Sequence, residues 1–304
     1  MPEQQSTPLV FRQSPLRLAA QSFYLSREAE RCTPATLRWY KQYITALVDY
    51  LHAHKVTDVK DVTPDHLRAF LVFLQRRNLS DTSIHHHASA ARTFFNYCAA
   101  EGLLTDSPMR TVKMPHRDKK ILPAFTSEDM QNIVAACKSS DRDLAIVLCL
   151  LDTGCRASEF VALNVGDVSV KTGAVKIRAG KGRKDRVTFL GAKARKALIK
   201  YLMARPDAAS TEALWLGRTR KRFTIWGLEQ LLERIGKQAG VEGVTPHKFR
   251  RTCALWSLRS GMSIYALQQI MGHADLTVLR RYLDLVEQDL AEAHKKSGPV
   301  DSLL

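Results

Sequence analysis

The stretch GHADLTVLRRY, residues 272–282, ends on a tyrosine and decides which fold the rest of the chain should adopt. Gly272 and His273 interrupt the chain before a short helical pattern, and Tyr282 lies nine residues after His273. A histidine exchanges protons or hydrogen bonds near neutral pH, and an ionised tyrosine oxygen is a nucleophile. The stretch therefore predicts two reactive side chains on one short segment.

Two pairs of polar residues precede this stretch. Arg156 and Glu159 in TGCRASEF, and His247 and Arg250 in TPHKFR, each lie three positions apart. On a helix, residues three apart project from the same face. Each pair alone is typical of a surface ion pair or a helix cap, so the prediction rests on the combination.

In order and spacing, these residues resemble the active-site set of the tyrosine recombinase or phage integrase family. The resemblance implies a Xer-like site-specific recombinase, which cuts and rejoins DNA through a 3′-phosphotyrosyl bond. The catalytic residues that it implies are Arg156, Lys181, His247, Arg250, His273 and Tyr282. Glu159 is expected to support them by orienting Arg156 or a histidine.

The chemistry can also be argued from the residues themselves. Attack on a phosphodiester gathers negative charge on its non-bridging oxygens, so Arg156 and Arg250 are suited to grip it. His247 is the expected base for the phenol, and His273 is expected to contact the phosphate or the attacking group. Crowding by neighbouring cations should lower the pKa of Lys181 and make it the acid for the leaving oxygen.

The chain is strongly basic. Its 304 residues include 46 Lys and Arg against 30 Asp and Glu, a formal charge of +16, and the isoelectric point is near 9.8. Such a surface attracts a polyanion, and salt weakens the attraction. The expected partner is double-stranded DNA.

Three basic runs and one helix are the candidate DNA contacts. The runs are a linker, a hairpin tip and RTRKR at residues 218–222, and the resemblance adds the third predicted helix. Each run alone is equally typical of a solvated loop. Because the same chain also carries the predicted catalytic residues, DNA binding is the favoured interpretation. The candidate residues are His85, His86, His87, Arg92, Lys113, Lys119, Lys120, Arg183, Lys184, Arg186, Arg218, Arg220, Lys221 and Arg222.

Periodicity predicts a mainly α-helical chain with a small antiparallel β-sheet. Apolar residues recur at helical spacing after Thr33, after Thr63 and over residues 81–100, and again beyond Pro123. Alternating residues on both sides of the turn-prone AGKGRKD, residues 179–185, predict a β-hairpin.

Five segments are expected along the chain. A flexible N-terminal arm over 1–13 comes first, and a basic linker over 109–123 separates two domains, with a short tail over 297–304. The resemblance identifies 14–108 as a helical, SAM-like core-binding domain and 124–296 as the α+β catalytic domain.

No cofactor or metal is expected. The sequence lacks a phosphate-binding GxxxxGK[ST] loop and clustered carboxylates. His85, His86 and His87 are adjacent on a helix, where successive side chains point about 100° apart and do not converge on one ion.

After Tyr282, apolar residues at Leu285, Val286, Leu290 and Ala293 predict a short amphipathic helix that could cap its own domain. The resemblance implies instead that this helix is exchanged between subunits, in a synaptic tetramer on DNA. Accessory recombination proteins are further possible partners. Six cysteines without paired spacing and no long apolar stretch predict a cytoplasmic, nucleoid-associated protein without membrane contact.

Three other functions fit parts of the pattern. A type IB topoisomerase relaxes DNA by similar chemistry but reseals the cut strand to itself. A non-catalytic regulator would use the same fold to bind DNA. A metal-dependent nuclease would lose its activity on chelation.

Overall fold

The chain divides into two compact units, Met1–Lys120 and Ile121–Leu304. The computed structural model describes residues 14–116, 123–178, 185–205, 212–217 and 219–272. Within these ranges the protein is mainly α-helical with one two-stranded antiparallel sheet. The predicted fold class is confirmed.

Four helices build the described part of the first unit, and each begins at a hydroxyl side chain. They are α1 (Pro15–Ala29), α2 (Pro34–Ala53), α3 (Pro64–Arg76) and α4 (Asp81–Ala100). The N-cap residues Ser14, Thr33, Thr63 and Ser80 each accept a hydrogen bond from a backbone N–H three residues on, which satisfies a donor that the helix leaves open. The predictions for α2, α3 and α4 are confirmed, whereas α1 was not predicted.

An aromatic core holds these helices together. Phe23 and Phe94 are fully buried, with ring centroids 5.6 Å apart in an edge-on arrangement. Met109 and Val112, which the composition assigns to the linker, are buried in the same core. The chain therefore stays packed against this unit past residue 108.

Seven helices and a hairpin form the described part of the second unit. They are α5 (Ser127–Ala136), α6 (Asp141–Thr153), α7 (Ala157–Ala162), β1 (Ala174–Ile177), β2 (Arg186–Phe189), α8 (Ala192–Ala204), α9 (Ile225–Ala239), α10 (Pro246–Arg259) and α11 (Ile264–Met271). The predicted hairpin is confirmed, and its register pairs Val175 with Thr188 and Ile177 with Arg186.

The hairpin turns one face inward. Val175, Ile177 and Thr188 are buried, whereas Val187 and Phe189 are 48% and 56% exposed. Because successive strand residues point to opposite faces, Arg186 shares the inward face with Thr188.

Helix α6 lies at the centre of the second unit. It packs against α8 and α10, and its residues Ile146 and Leu150 are fully buried. Its last turn runs into Gly154, which adopts a left-handed conformation with φ +54° and ends the helix. This turn brings the chain directly to Arg156.

Candidate active site

Arg156 and Glu159 meet at the start of α7. Arg156 is the N-cap residue, and Glu159 is the third residue of the helix. The Glu159 carboxylate accepts the backbone N–H of Arg156 at 3.0 Å and its Nη1 at 2.8 Å. The two side chains share a face of the helix, as their spacing predicts.

A second guanidinium holds the same carboxylate. Arg186, the first residue of β2, donates from Nη1 to Glu159 Oε1 at 3.0 Å and from Nη2 to Oε2 at 2.7 Å. Its side chain is 11% exposed, and Nε donates to the Ile270 carbonyl at 2.9 Å. Arg186 was predicted as a DNA contact at the hairpin tip, and the structure instead directs these donors into the protein.

Glu159 is ionised at neutral pH. Burial alone raises the pKa of its carboxyl, but hydrogen bonds from Arg186 and Arg156 outweigh burial and bring the pKa to about 2. A carboxylate with this pKa cannot donate a proton near pH 7. The orienting role of Glu159 stays a prediction, which these hydrogen bonds support.

Arg250 enters the site from α10 and is 7% exposed. Its Nη1 donates to the Gly154 carbonyl at 2.6 Å, and its Nη2 donates to the Met271 carbonyl at 2.8 Å. Burial, followed by the charge of Arg156, lowers the pKa of Arg250 to about 10. The group remains a cation at neutral pH, buried where its field is poorly screened.

Three arginines converge on the end of α11. Three consecutive carbonyls accept from three different guanidinium groups: Ile270 from Arg186, Met271 from Arg250, and Gly272 from Arg156 at 3.3 Å. A helix C-terminus leaves its last carbonyls without internal partners and carries partial negative charge. The end of α11 thus gathers both predicted catalytic arginines, one residue before His273 in the sequence.

His247 lies on the same helix as Arg250. It is the second residue of α10 and is exposed, three positions before Arg250. The capping hydroxyl of Thr245 fixes the start of the helix by accepting the N–H of Lys248 at 3.2 Å. An imidazole at this position is open to solvent and to a ligand.

Several predicted site residues lie outside the described residues. They are Lys119, Lys120, Lys181, Arg183, Lys184, Arg218, His273 and Tyr282, together with the terminal helix predicted after Tyr282. Their roles stay predictions from the sequence.

The three consecutive histidines of α4 point to different surroundings. His87 is 8% exposed and packs edge-on against Tyr43 and Phe70, with centroids 4.6 Å and 5.6 Å away. Burial lowers its pKa, followed by the effect of His86. His85 is half-buried, with Nδ1 3.2 Å from the Pro115 carbonyl. His87 is therefore a core residue in this structure, although it was predicted as a DNA contact.

The other predicted DNA contacts also differ in what they touch. Arg92 donates to the Val112 carbonyl at 3.2 Å. Arg222 donates from Nη1 to the carbonyls of Val161, Ala162 and Leu163, so it caps the C-terminal end of α7. Lys113, Arg220, Lys221 and Arg222 are exposed.

Two features of the described residues bear on other functions. No group of three or more His, Cys, Asp or Glu side chains there is arranged to hold a metal ion. Nor is any helix in those ranges long and apolar enough to cross a bilayer.

Comparison with known families identifies the chain. The profile of the phage integrase family matches residues 123–289, and that of the phage integrase N-terminal SAM-like domain matches residues 21–102. The chain belongs to the phage integrase family. This integrase has the Arg156, Glu159 and Arg250 cluster within the larger of the two matches.

Curated relatives of this integrase are tyrosine recombinases. XerA of Thermococcus kodakarensis is 30% identical over 286 residues, 92% of this chain and 95% of the relative. XerC of Thermodesulfovibrio yellowstonii is 32% identical over 278 residues, 87% of this chain and 90% of the relative.

Solved structures share the fold. A XerA recombinase superposes with a TM-score of 0.53 at 25% identity, covering 92% of this integrase and 98% of that chain. A lambda integrase tetramer bound to a Holliday junction gives a TM-score of 0.72 at 18% identity, covering 91% and 84%.

These matches confirm the predicted family and the predicted activity. This integrase is a site-specific DNA recombinase of the tyrosine type. Type IB topoisomerase activity and non-catalytic regulation are not favoured, because the matched relatives are named tyrosine recombinases.

Proposed function

We propose that this recombinase cleaves DNA by attack of the Tyr282 phenolic oxygen on a backbone phosphate gripped by Arg156 and Arg250. A bond forms between phosphorus and the tyrosine oxygen, and the bond from phosphorus to the 5′-oxygen breaks. His247 takes the phenolic proton, and Lys181 protonates the departing 5′-oxygen. His273 hydrogen-bonds the phosphate or the attacking oxygen.

The meeting of Arg156 and Arg250 at the end of α11 carries this proposal. Both guanidinium groups are already fixed by protein acceptors, so little reorganisation is needed when a phosphate arrives. Each terminal nitrogen of Arg156 has two N–H bonds, and its contacts with Glu159 and Gly272 use one on each, which leaves donors for the ligand. Fixed cations of this kind stabilise the charge that develops on a phosphate during attack.

The same cations help to activate the phenol. An ordinary tyrosine has a pKa of about 10, so ionising it at neutral pH costs about 4 kcal/mol. A positive field lowers this cost because it favours the phenolate. Arg156 and Arg250 supply such a field where the phosphate binds, and His247 supplies the base.

The proposed step conserves bond energy. One phosphodiester is exchanged for one phosphotyrosyl ester, and attack by the 5′-hydroxyl of a partner strand reverses the exchange. The scheme therefore requires neither a nucleotide cofactor nor a metal ion.

The grip on DNA is assigned to both parts of the chain. We assign core binding to residues 14–108, the linker to 109–123 and cleavage to 124–296. Lys113 and Lys221 are exposed, which supports their assignment as phosphate contacts. Formal charge of +16 supports a duplex as the ligand.

Assembly on DNA is proposed as a tetramer. A matched lambda integrase is a tetramer on a Holliday junction, and XerH is bound to a palindromic difH substrate. For this chain we propose a synaptic tetramer in which the helix predicted after Tyr282, around Leu285 to Ala293, is exchanged between subunits. We further propose that accessory proteins take part and that the protein acts at the nucleoid in the cytoplasm.

A strand-exchange assay tests the proposal. Sequencing the DNA that copurifies with a trapped covalent complex identifies the site, and two duplexes carrying it are then labelled differently. We expect joint molecules with both labels, at equal yield with and without chelator. Relaxation of supercoiled DNA without joint molecules would point to a topoisomerase, and binding without cleavage to a regulator.

A further inference from the structure

Arg186 is placed where it can control the geometry of the site through contacts within the protein. Its guanidinium closes a bidentate pair with Glu159, at 2.7 Å and 3.0 Å, and its Nε holds the Ile270 carbonyl at 2.9 Å. A bidentate pair fixes both the distance and the plane of its partner. Arg186 thereby ties the start of β2 to α7 and to the end of α11.

The Glu159 carboxylate links Arg186 to Arg156, so fixing the carboxylate also fixes the Arg156 guanidinium. Glu159 Oε1 accepts from both Arg156 Nη1 and Arg186 Nη1, at 2.8 Å and 3.0 Å. Without Arg186, the Glu159 carboxylate would lose two of its donors and could rotate about its side-chain torsions. The Arg156 guanidinium would then lose the fixed partner that sets its direction.

The backbone at Gly272 shows how closely Arg186 is packed. A Cβ built on Gly272 would lie 2.8 Å from Arg186 Cδ and 2.9 Å from its Nε. The left-handed turn of Gly272, with φ +62°, lets the chain pass over the guanidinium. The residue next in sequence is His273, so Arg186 borders the point where the chain continues toward the catalytic histidine and tyrosine.

We propose that Arg186 is a positioning residue for strand cleavage, which aligns Arg156 through Glu159 and holds the end of α11 beside them. This role rests on the proposed function of Arg156 and Tyr282. It differs from a phosphate contact in one measurable way, because a positioning residue changes the rate of cleavage and leaves the electrostatics of DNA binding unchanged. A misplacement of about 1 Å at a reacting centre can slow a reaction about 100-fold.

The test measures binding and cleavage separately for Arg186→Gln and Arg186→Lys. Cleavage is the single-turnover rate of covalent complex formation on a nicked duplex carrying the sequenced site. Binding is the affinity for the intact duplex over about 50 to 200 mM salt. We expect Arg186→Gln to slow cleavage about 100-fold, with Arg186→Lys in between, and with the salt dependence of binding unchanged.

A matched control separates positioning from general stability. Arg178 also pairs with a buried carboxylate, since its Nη2 lies 2.7 Å from Asp167 Oδ1. Arg178→Gln should reduce the melting temperature of the protein while its cleavage rate stays within about 3-fold of wild type. If Arg186→Gln does not fold, the cleavage rate of Arg186→Lys is compared with those of wild type and Arg178→Gln instead.

A double-mutant cycle tests whether Arg186 acts through Glu159. If it does, the loss of rate in the double variant Glu159→Gln/Arg186→Gln should be much smaller than the product of the two single losses, because the contact through Glu159 is already gone and only the hydrogen bond to the Ile270 carbonyl is left to remove. The proposal is overturned if the two effects multiply, if cleavage is unaffected in Arg186→Gln, or if the slope of log affinity against log salt falls by about one, as for a lost phosphate contact. Failure of the wild type to form a covalent complex would instead overturn the proposed function.

Discussion

Arg250 donates a 2.6 Å hydrogen bond to the carbonyl of Gly154, so a cation of α10 is held by the last turn of α6. The glycine is needed there, because its φ is +54° and a Cβ would lie 2.8 Å from Met271 Sδ. The two ends of the contact come from residues 96 positions apart in the sequence. A long-range packing contact thus positions a group that we assign to the phosphate.

Arg250→Lys should keep the positive charge and lose the two donor nitrogens of the planar guanidinium. A lysine ammonium cannot reach both the Gly154 and Met271 carbonyls with the geometry of a planar guanidinium. We expect cleavage to slow about 100- to 1000-fold, as for the loss of a fixed donor at a developing charge. The single-turnover rate on nicked DNA checks this, and a rate within about 3-fold of wild type would contradict the assignment.

Glu159→Gln should change how stability depends on pH. The pKa of Glu159 in the folded protein, about 2, lies below its ordinary value of 4.5. A depressed pKa contributes stability above pH 4.5, and that stability is lost as pH falls toward 2. Wild type should exceed Glu159→Gln by about 3 kcal/mol in free energy of unfolding above pH 5, with a smaller difference at pH near 3.

Urea denaturation at several pH values measures this difference. Glu233→Gln is the control, because Glu233 pairs with Lys237 on the exposed surface of α9, where such pairs contribute little. A difference between wild type and Glu159→Gln that stays constant from pH 6 to pH 3 would show that the ionised carboxylate is not what Arg156 and Arg186 stabilise.

Gly272→Ala should impair cleavage beyond its cost to the backbone. A Cβ at Gly272 meets the Arg186 side chain at 2.8 Å, so that side chain has to move. Gly240, which ends α9 with φ +66°, has no atom within 4 Å of an added Cβ. Both alanine variants should lose about 1 kcal/mol of stability, but only Gly272→Ala should cleave more slowly, by at least 10-fold. Equal cleavage by the two variants would contradict the account.

Neighbouring cations of the RTRKR run should behave differently. Lys221 is exposed, and Lys221→Gln should lower the salt slope of DNA binding by about one without changing stability. Arg222 caps α7 through three carbonyls, so Arg222→Gln should destabilise the protein by about 1 to 2 kcal/mol. Salt-dependent binding and urea denaturation of both variants check the contrast. A stability loss in Lys221→Gln, or a lower salt slope without a stability loss in Arg222→Gln, would contradict the roles that we assign to these residues.

Local spacing was enough to predict one half of the site. Arg156 and Glu159 lie three residues apart on one short helix, and His247 and Arg250 repeat this spacing on α10. Helical geometry fixes which side chains share a face, so the sequence predicts both pairs. The join between the pairs depends on packing of α6 against α10, which no local pattern encodes.

The inward direction of Arg186 was harder to predict. Val187 and Phe189 are apolar, which suggests that they face the core and that Arg186 and Thr188 face solvent. The structure has the opposite arrangement, because the buried face is set by Val175 and Ile177 on the partner strand. Within β2 the pairing register decides the direction, and a single strand does not reveal it.

His87 shows a similar limit on a helix. The two histidines before it, His85 and His86, are half-buried, and composition alone does not distinguish the three residues. Their directions differ by about 100° per residue, and Ile84 and Ala91 mark the buried side of α4. His87 lies three residues after Ile84 and four before Ala91, so helical spacing puts it on the buried side. This spacing is the signal in the sequence that predicts burial of His87.

Mapping the trapped covalent bond tests the central claim most directly. The protein is incubated with a nicked duplex carrying its site, digested with trypsin and nuclease, and examined by mass spectrometry. Cleavage after Arg281 gives a peptide over residues 282–295 with Tyr282 as its one tyrosine. We predict that this peptide carries the nucleotide and that Tyr282→Phe forms no covalent complex. A nucleotide on another residue, or equal trapping by Tyr282→Phe, would contradict the account.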